Sequence, residues 1–400
     1  MRRPLSSRLE PLRSSFVVRI DELLSSARGD VIRMHAGEPS ALPPPEVVEA
    51  AARRLTSMER SVFAYAPTLG MPELREAIAE DLRREGVDVD ASEVAVTPGS
   101  TAGIYAVLAS LLEPGDEVIL ADPTFMAYRP VVTSLGGRVV AHHTWIESGF
   151  QPDPDEVASL VSSRTKAIVL VDPDNPTGRV LKEGVVRGLA EVADDSGVYL
   201  VVDEAYRSVV YEGGRRPARR YGENVIGLGT FSKDPAVPGL RVGYVYGPPE
   251  VIEALRVFSA HAYFGASNFS QLLALEYLRW EGRRMYLEGV LRAYRARRDA
   301  MVDALRRELP EARFIEPAAG LYVFVDLPLA GLDSEGFSSL LASRYGVTVA
   351  PGTAFSSTYR SAVRLTFVTL TEEMIREGVR RVARALAELR GVSPTSPRTP

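Results

Sequence analysis

Lys233 is one of only three lysines in a 400-residue chain whose other 44 Lys or Arg residues are all Arg. It stands in Gly229-Thr-Phe-Ser-Lys-Asp-Pro-Ala-Val-Pro-Gly-Leu-Arg241, directly after the apolar run Asn224-Val-Ile-Gly-Leu-Gly. A chain that writes nearly every surface cation as Arg has no electrostatic reason to keep a lysine at a strand end. The chemical reason is covalent: an amine condenses with a carbonyl to an imine, and a guanidinium does not.

Two further segments offer groups to the same place. Val201-Val-Asp203-Glu204-Ala-Tyr206 puts an acid at the carboxyl end of an apolar strand, where open α/β sheets bind ligands. A carboxylate there is costly unless paired, and its alternative role is an N-cap for a following helix. Asp172-Pro-Asp-Asn175-Pro-Thr-Gly178 ends the preceding strand, so three consecutive strands would deliver Asn175, Asp203 and Lys233 to one rim, with Arg241 eight residues past the lysine. Thr97-Pro-Gly-Ser-Thr-Ala-Gly103 follows a strand and opens a helix, which makes its backbone N–H groups an anion site. It is neither a P-loop nor a full dinucleotide fingerprint. His35, His142, His143 and His261 lack metal-ligand spacing, and no metal is expected.

The elements that must position these groups alternate between β-rich runs and helical patterns from about residue 92 to 250, the mark of βαβ units and a mostly parallel sheet. Seven strands are expected, starting at Glu93, Glu117, Gly137, Ala167, Val198, Asn224 and Gly243, with helices such as Thr101 to Leu112 and Leu181 to Asp195 between them. The C-terminal part reads as α+β, with strands at Phe314-Ile-Glu, Leu321-Tyr-Val-Phe-Val, Val347-Thr-Val and Val363-Arg-Leu-Thr-Phe and a closing helix from Thr371 to Leu389. The expected division is an N-terminal segment 1–45 joining a small domain at 281–390, a large domain at 46–280, and a disordered tail at 391–400.

Composition narrows the function classes. A net charge of −5 gives no basic field for nucleic acid, and the absence of Cys removes disulfides and thiolate metal sites. The start lacks the apolar stretch of a secretory signal and no run reaches the roughly 20 apolar residues of a membrane helix, so a cytoplasmic protein without membrane contact is expected. The excess of Arg fits either a GC-rich genome or thermal adaptation, and composition does not separate them.

Taken together, Tyr65 with Gly70, Gly99-Ser-Thr, Asn175-Pro-Thr-Gly, Asp203-Glu-Ala-Tyr206 and Ser232-Lys233 with Arg241 resemble the fold-type I pyridoxal-phosphate enzymes, most closely the class I/II aminotransferases of the aspartate aminotransferase family, from about Val31 to Leu389. The resemblance implies that family's α/β fold, a homodimer with shared active sites, and pyridoxal 5'-phosphate as cofactor. It implies a ping-pong transfer of the amino group of an L-amino acid to a 2-oxo acid. Lys233 would be the Schiff-base lysine and proton shuttle, Asp203 the acid that keeps the pyridine nitrogen protonated, and Tyr206 and Asn175 the donors to the ring's phenolic oxygen. Gly99, Ser100, Thr101, Thr230, Ser232 and Arg241 would hold the phosphate, Phe125 would stack on the ring, and Tyr65 would reach the phosphate in the neighbouring subunit. Arg364, with Asn175 and the backbone of Gly37, would grip the substrate's α-carboxylate. The family lines its side-chain pocket near Tyr322 and Pro351 to Phe355, although Tyr322 also suits a plain core position.

Some aspartate-preferring members carry a Lys where this chain has Thr101, and no second arginine is assignable to a distal carboxylate. The residues leave open a carbon–sulfur β-lyase, a cyclase or synthase, or a decarboxylase of the same fold, since these share the first covalent step. Arg364 argues against the decarboxylase, because that reaction disfavours pinning the carboxylate in the ring plane. A non-catalytic cofactor sensor would need an added DNA-binding domain, of which the sequence shows no sign. The amino acid used and the pathway served are not legible.

Overall fold

The computed structural model describes residues 6–13, 16–26, 30–215 and 217–391. Among these, twelve strands occur: β1 (Ile32–Arg33), β2 (Val94–Thr97), β3 (Glu117–Asp122), β4 (Arg138–His143), β5 (Thr165–Val171), β6 (Tyr199–Asp203), β7 (Val225–Thr230), β8 (Gly243–Tyr246), β9 (Tyr322–Asp326), β10 (Val347–Thr348), β11 (Ala350–Pro351) and β12 (Ala362–Thr366). Seven form one sheet in the order β2-β8-β7-β6-β5-β3-β4, in which β8 alone runs against its neighbours. All seven expected strands are therefore present.

The period of two along each strand splits the core into two layers. Val169, Val201 and Leu228 pack with Ile104 and Val107 of the helix Ser100–Leu111 and with Ile252 and Leu255 of the helix Pro249–Ala262. Ile168, Leu200 and Val225 face the other way, onto Leu189 and Ala190 of the helix Glu183–Ser196. At the β2 edge, Val94, Val96, Tyr244 and Tyr246 pack with Leu74 and Ile78 of the helix Pro72–Arg84 and with Leu273 and Tyr277 of the helix Asn268–Arg279. Strands covered on both faces read as continuous apolar runs, which is why the sequence betrayed them.

A second body gathers around the antiparallel sheet β11-β12-β9. Its core joins Val323, Val325, Val363 and Leu365 to Met301 and Leu305 of the helix Arg283–Glu308 and to Val379 and Val382 of the helix Glu372–Leu389. That last helix starts cleanly because Thr371 caps the N–H of Met374 and two glutamates sit in its first turn. The N-terminal residues Ile32 and Met34 share this core, and β1 pairs in parallel with β10.

One expected strand is absent. Phe314-Ile-Glu forms no strand, and only the bridge between Arg313 and Asp326 marks the approach of this segment to β9. A three-residue apolar hint has too little ladder to persist once β9 is paired with β12 on its other side. The expected tail lies, from residue 392 on, outside the described residues.

Candidate active site

β5, β6 and β7 are adjacent and parallel, so their carboxyl ends meet at one rim. A cavity of about 570 Å³ opens there, and its wall includes Asn175, Asp203, Tyr206, Thr230, Ser232, Lys233, Arg241, Ser100, Thr101, Phe125, Gly37 and Arg364. Twelve of the residues singled out from the sequence are thus brought together. Gly99 stands behind this wall. Tyr65 does not reach the cavity of its own chain; it is 89% exposed, beside Phe264 with ring centres 5.9 Å apart.

Asp203 ends β6 fully buried, and no helix follows it, so the N-cap role is excluded. Its carboxylate instead accepts from the N–H of Ala205 at 3.0 Å and from the hydroxyl of Tyr128 at 3.1 Å. Burial dominates, and the Asp203 carboxyl is pushed up from 3.8 to about 6 despite these donors and the nearby Lys233. Lys233 donates from Nζ to the carbonyl of Gly37 at 2.7 Å, and the same atom lies 5.6 Å from the centre of the Tyr206 ring. Burial lowers the pKa of this amine, and Arg364 lowers it further, while Tyr322 pulls it back up.

A ladder of polar groups crosses the cavity. Arg364 Nη1 donates to Asn175 Oδ1 at 2.9 Å, Asn175 Nδ2 donates to the Tyr206 hydroxyl at 3.3 Å, and the Tyr206 and Tyr322 hydroxyls are 3.2 Å apart. Arg364 Nη2 also donates to the carbonyl of His35 at 3.0 Å, whereas its Nε is buried without a partner. At the opposite end, Arg241 Nη1 donates to the carbonyl of Pro238 at 2.7 Å and reaches Ser232 Oγ at 3.5 Å. Ser232 is held by Thr230, whose Oγ1 donates to its Oγ at 2.9 Å. Neither Arg241 nor Arg364 has a carboxylate partner among the described residues.

Such a cavity, with an amine and a buried acid between two cations free of counter-ions, suits a ligand carrying an anion at each end. The residues 29–382 match the family model described as aminotransferase class I and II. The chain belongs to the class I and II aminotransferases. It is 37% identical over 391 residues to an aspartate/prephenate aminotransferase of Thermus thermophilus, covering 96% of this chain and 99% of that one. It is 35% identical to an arginine–pyruvate transaminase of Pseudomonas aeruginosa, over 90% of this chain and 91% of the relative. A solved aspartate aminotransferase of Thermus thermophilus with maleate superposes with a TM-score of 0.89 at 35% identity, covering 96% of this chain and 100% of that one. This aminotransferase therefore carries out transamination that depends on pyridoxal phosphate.

The residues present fit that cofactor. Gly99, at φ 85°, caps the helix Ser100–Leu111, and a Cβ there would stand 2.5 Å from Arg241 Nη2, so the glycine keeps open the cradle between a helix N-terminus and a guanidinium. The unpartnered Nε of Arg364 and the buried Asp203 supply the other polar ends.

The sequence assigns neither Tyr128 nor His35 a place at this site, and it leaves Tyr322 between the side-chain pocket and the core. Tyr128, three residues after Phe125, holds Asp203, and only the folded chain reveals a contact between residues 75 positions apart. Tyr322, equally suited to the core on sequence grounds, lines the cavity and touches Tyr206. His35 alternates with Arg33 and Gly37 along the segment that edges the cavity, and its ring bonds to Thr348 at 2.7 Å. Burial, with Arg364 and Arg33 nearby, lowers its pKa from 6.5 to about 4.

Proposed function

We propose that this aminotransferase moves the amino group of an L-amino acid to a 2-oxo acid with Lys233 as the covalent lysine and proton shuttle. The observation that carries the reading is the placement of Lys233 and Asp203 in one cavity between Arg241 and Arg364, two cations without carboxylate partners. Pyridoxal phosphate, when bound, supplies a ring into which the electrons of the substrate's Cα–H bond can be drawn.

The protein's own groups do the rest. Arg241, Ser100, Thr101, Thr230, Ser232 and the helix end at Gly99 would hold the phosphate, for which a guanidinium and free helix N–H groups are suited donors. Asp203 would hold a proton on the ring nitrogen, the positive charge there keeping the buried carboxylate ionised. Tyr206 and Asn175 would donate to the ring oxygen, and Phe125 would cover the ring. Arg364, with Asn175 and the Gly37 backbone, would fix the α-carboxylate and so orient the substrate's Cα–H bond for Lys233. The lysine amine, whose pKa burial lowers, would take that proton on Nζ and deliver it to a second carbon, leaving the amine as it began.

Tyr65 would complete the phosphate site of a second subunit. Its exposure beside Phe264, with Met58 and Phe63 earlier in the same stretch of chain also more than half exposed, supports a homodimer with shared sites. The pairing of β1 with β10 supports grouping segment 1–45 with residues 281–390 as the smaller domain. A cytoplasmic location fits the absence, among the described residues, of any helix long and apolar enough to cross a membrane.

The test is the absorption spectrum of the protein with pyridoxal phosphate, before and after a panel of amino acids is added without a 2-oxo acid. Conversion of the yellow form to the pyridoxamine form by some of them supports the reading and names the donor. A yellow protein that the panel leaves unchanged, or one that releases pyruvate, ammonia or carbon dioxide instead, overturns it.

A further inference from the structure

Behind the cavity, the residues that follow the two central groups are joined by charge. Glu204, next to Asp203, pairs with Arg215 at 3.0 Å; Arg215 pairs with Glu85 at 3.3 Å and Glu85 with Arg207 at 3.0 Å. Arg207 pairs with Asp81, Asp81 with Arg283 at 2.5 Å, and Arg283 with Asp234 at 3.8 Å. Asp234 is next to Lys233. Seven side chains of alternating sign thus run from the neighbour of the buried acid to the neighbour of the lysine.

The two ends are the most firmly held. Glu204 is buried and accepts from the Tyr246 hydroxyl at 2.8 Å, and Asp234 is buried and accepts from the Tyr277 hydroxyl. Asp203 and Glu204 share a peptide bond at the end of β6, and Lys233 and Asp234 share one in the bend that follows β7, so each pair is coupled directly through the main chain. Asp203 and Lys233 line the cavity while Glu204 and Asp234 point into the layer behind it, so anchoring the second pair fixes the roots of the first. The chain is buried at both ends and partly exposed at Glu85; buried ion pairs are poor sources of net stability, because desolvation offsets their attraction, and a role in placement accounts for the buried ends here. The chain's middle members sit on rigid pieces: Asp81 on the helix Pro72–Arg84, Glu85 at its end, and Arg283 at the start of the helix Arg283–Glu308.

We propose that Asp234 is a positioning residue for Lys233, and that the charge chain ending on it ties the placement of Lys233 to that of Asp203. This rests on the assignment of Lys233 as the covalent lysine.

The test compares cofactor-free wild type, Asp234→Asn and Arg283→Gln, with Lys233→Ala as the blank for reaction at Lys166 and Lys182. One probe is pyridoxal, which lacks the phosphate and condenses with the lysine amine with loss of water, followed by its visible absorbance. The other is pyridoxamine phosphate, which has no aldehyde and reports on the rest of the cavity by calorimetry. Misplacing an amine by an ångström is expected to slow condensation about tenfold or more in each variant, with pyridoxamine phosphate affinity within about twofold of wild type. Because both changes break one chain, the double variant is expected to fall short of the product of the singles. Variants that condense like wild type, or that lose both probes in equal measure, overturn the positioning role. Should Asp234→Asn fail to fold, Tyr277→Phe, which removes the hydroxyl from Asp234, takes its place in the same comparison. A wild type that does not condense overturns the parent assignment as well, a result distinct from variants that match a reactive wild type.

Discussion

The guanidinium carbon of Arg364 lies 3.9 Å from the centre of the Tyr322 ring. Phe355 stands on another side at 4.8 Å, and the arginine is 4% exposed. Aromatic faces hold a delocalised planar cation in a fixed orientation, which an ammonium on a flexible stem would not keep. The fork is thereby aimed before any carboxylate arrives.

Replacing Arg364 with Lys keeps the charge but loses both the stacking and the fork. The KM for the amino donor is expected to rise roughly ten- to a hundredfold, the worth of one charge-assisted hydrogen bond. Pyridoxal phosphate affinity, measured separately, should stay near wild type. A KM within a factor of two would remove Arg364 from the carboxylate site.

Tyr322→Phe tests the hydroxyl alone. Burial pushes this phenol up, yet Arg364 and Lys233 pull it below its usual value, and it in turn is the main influence holding the Lys233 amine up against burial. Losing the hydroxyl should therefore lower the amine's pKa in the cofactor-free protein. The pH dependence of its condensation with pyridoxal reads this directly, and an upward shift would contradict it.

Asp203 makes stability depend on pH. Its folded pKa is raised from 3.8 to about 6, so the cofactor-free fold binds its proton more tightly than the unfolded chain and loses stability as pH rises between those values. That shift corresponds to roughly 3 kcal/mol. Asp203→Asn should raise the melting temperature of the cofactor-free protein at pH 8 and leave it nearly unchanged below pH 4, while weakening retention of pyridoxal phosphate. Equal effects at both pH values would argue against a buried, costly carboxylate.

His35 works in the opposite sense. Its pKa falls from 6.5 to about 4, so the fold keeps its full stability above 6.5 and loses part of it as pH drops toward 4. His35→Gln should flatten that acid limb by on the order of 1–3 kcal/mol, measured by denaturant unfolding.

Gly99→Ala is expected to damage the phosphate cradle. The backbone there has φ 85°, costing an L side chain about 1–2 kcal/mol, and the new methyl would press on Arg241. A loss of cofactor affinity of about tenfold or more should appear in titrations with pyridoxal phosphate. Unchanged affinity would mean that Arg241 swings away freely.

The sequence by itself determined the large sheet, because strands buried on both faces have no polar side to blur their apolar runs. It also pointed to the central chemistry, because a rare lysine among arginines, an acid at a strand end and an Asn-Pro-Thr-Gly turn are local signals at the ends of neighbouring strands. What the tertiary structure alone decided were relations across the chain. Tyr128 meets Asp203 across 75 positions, and Tyr322 meets Tyr206 across 116. The seven-charge chain behind the cavity joins residues from 81 to 283. An Arg or Glu reads in sequence as one more solvated charge, and only packing, by taking water away and fixing which opposite charge remains, turns it into a specific contact. Arg364 follows the same rule: among 44 arginines only its motif context singles it out, and its stacking on Tyr322 exists only once β9 and β12 are paired.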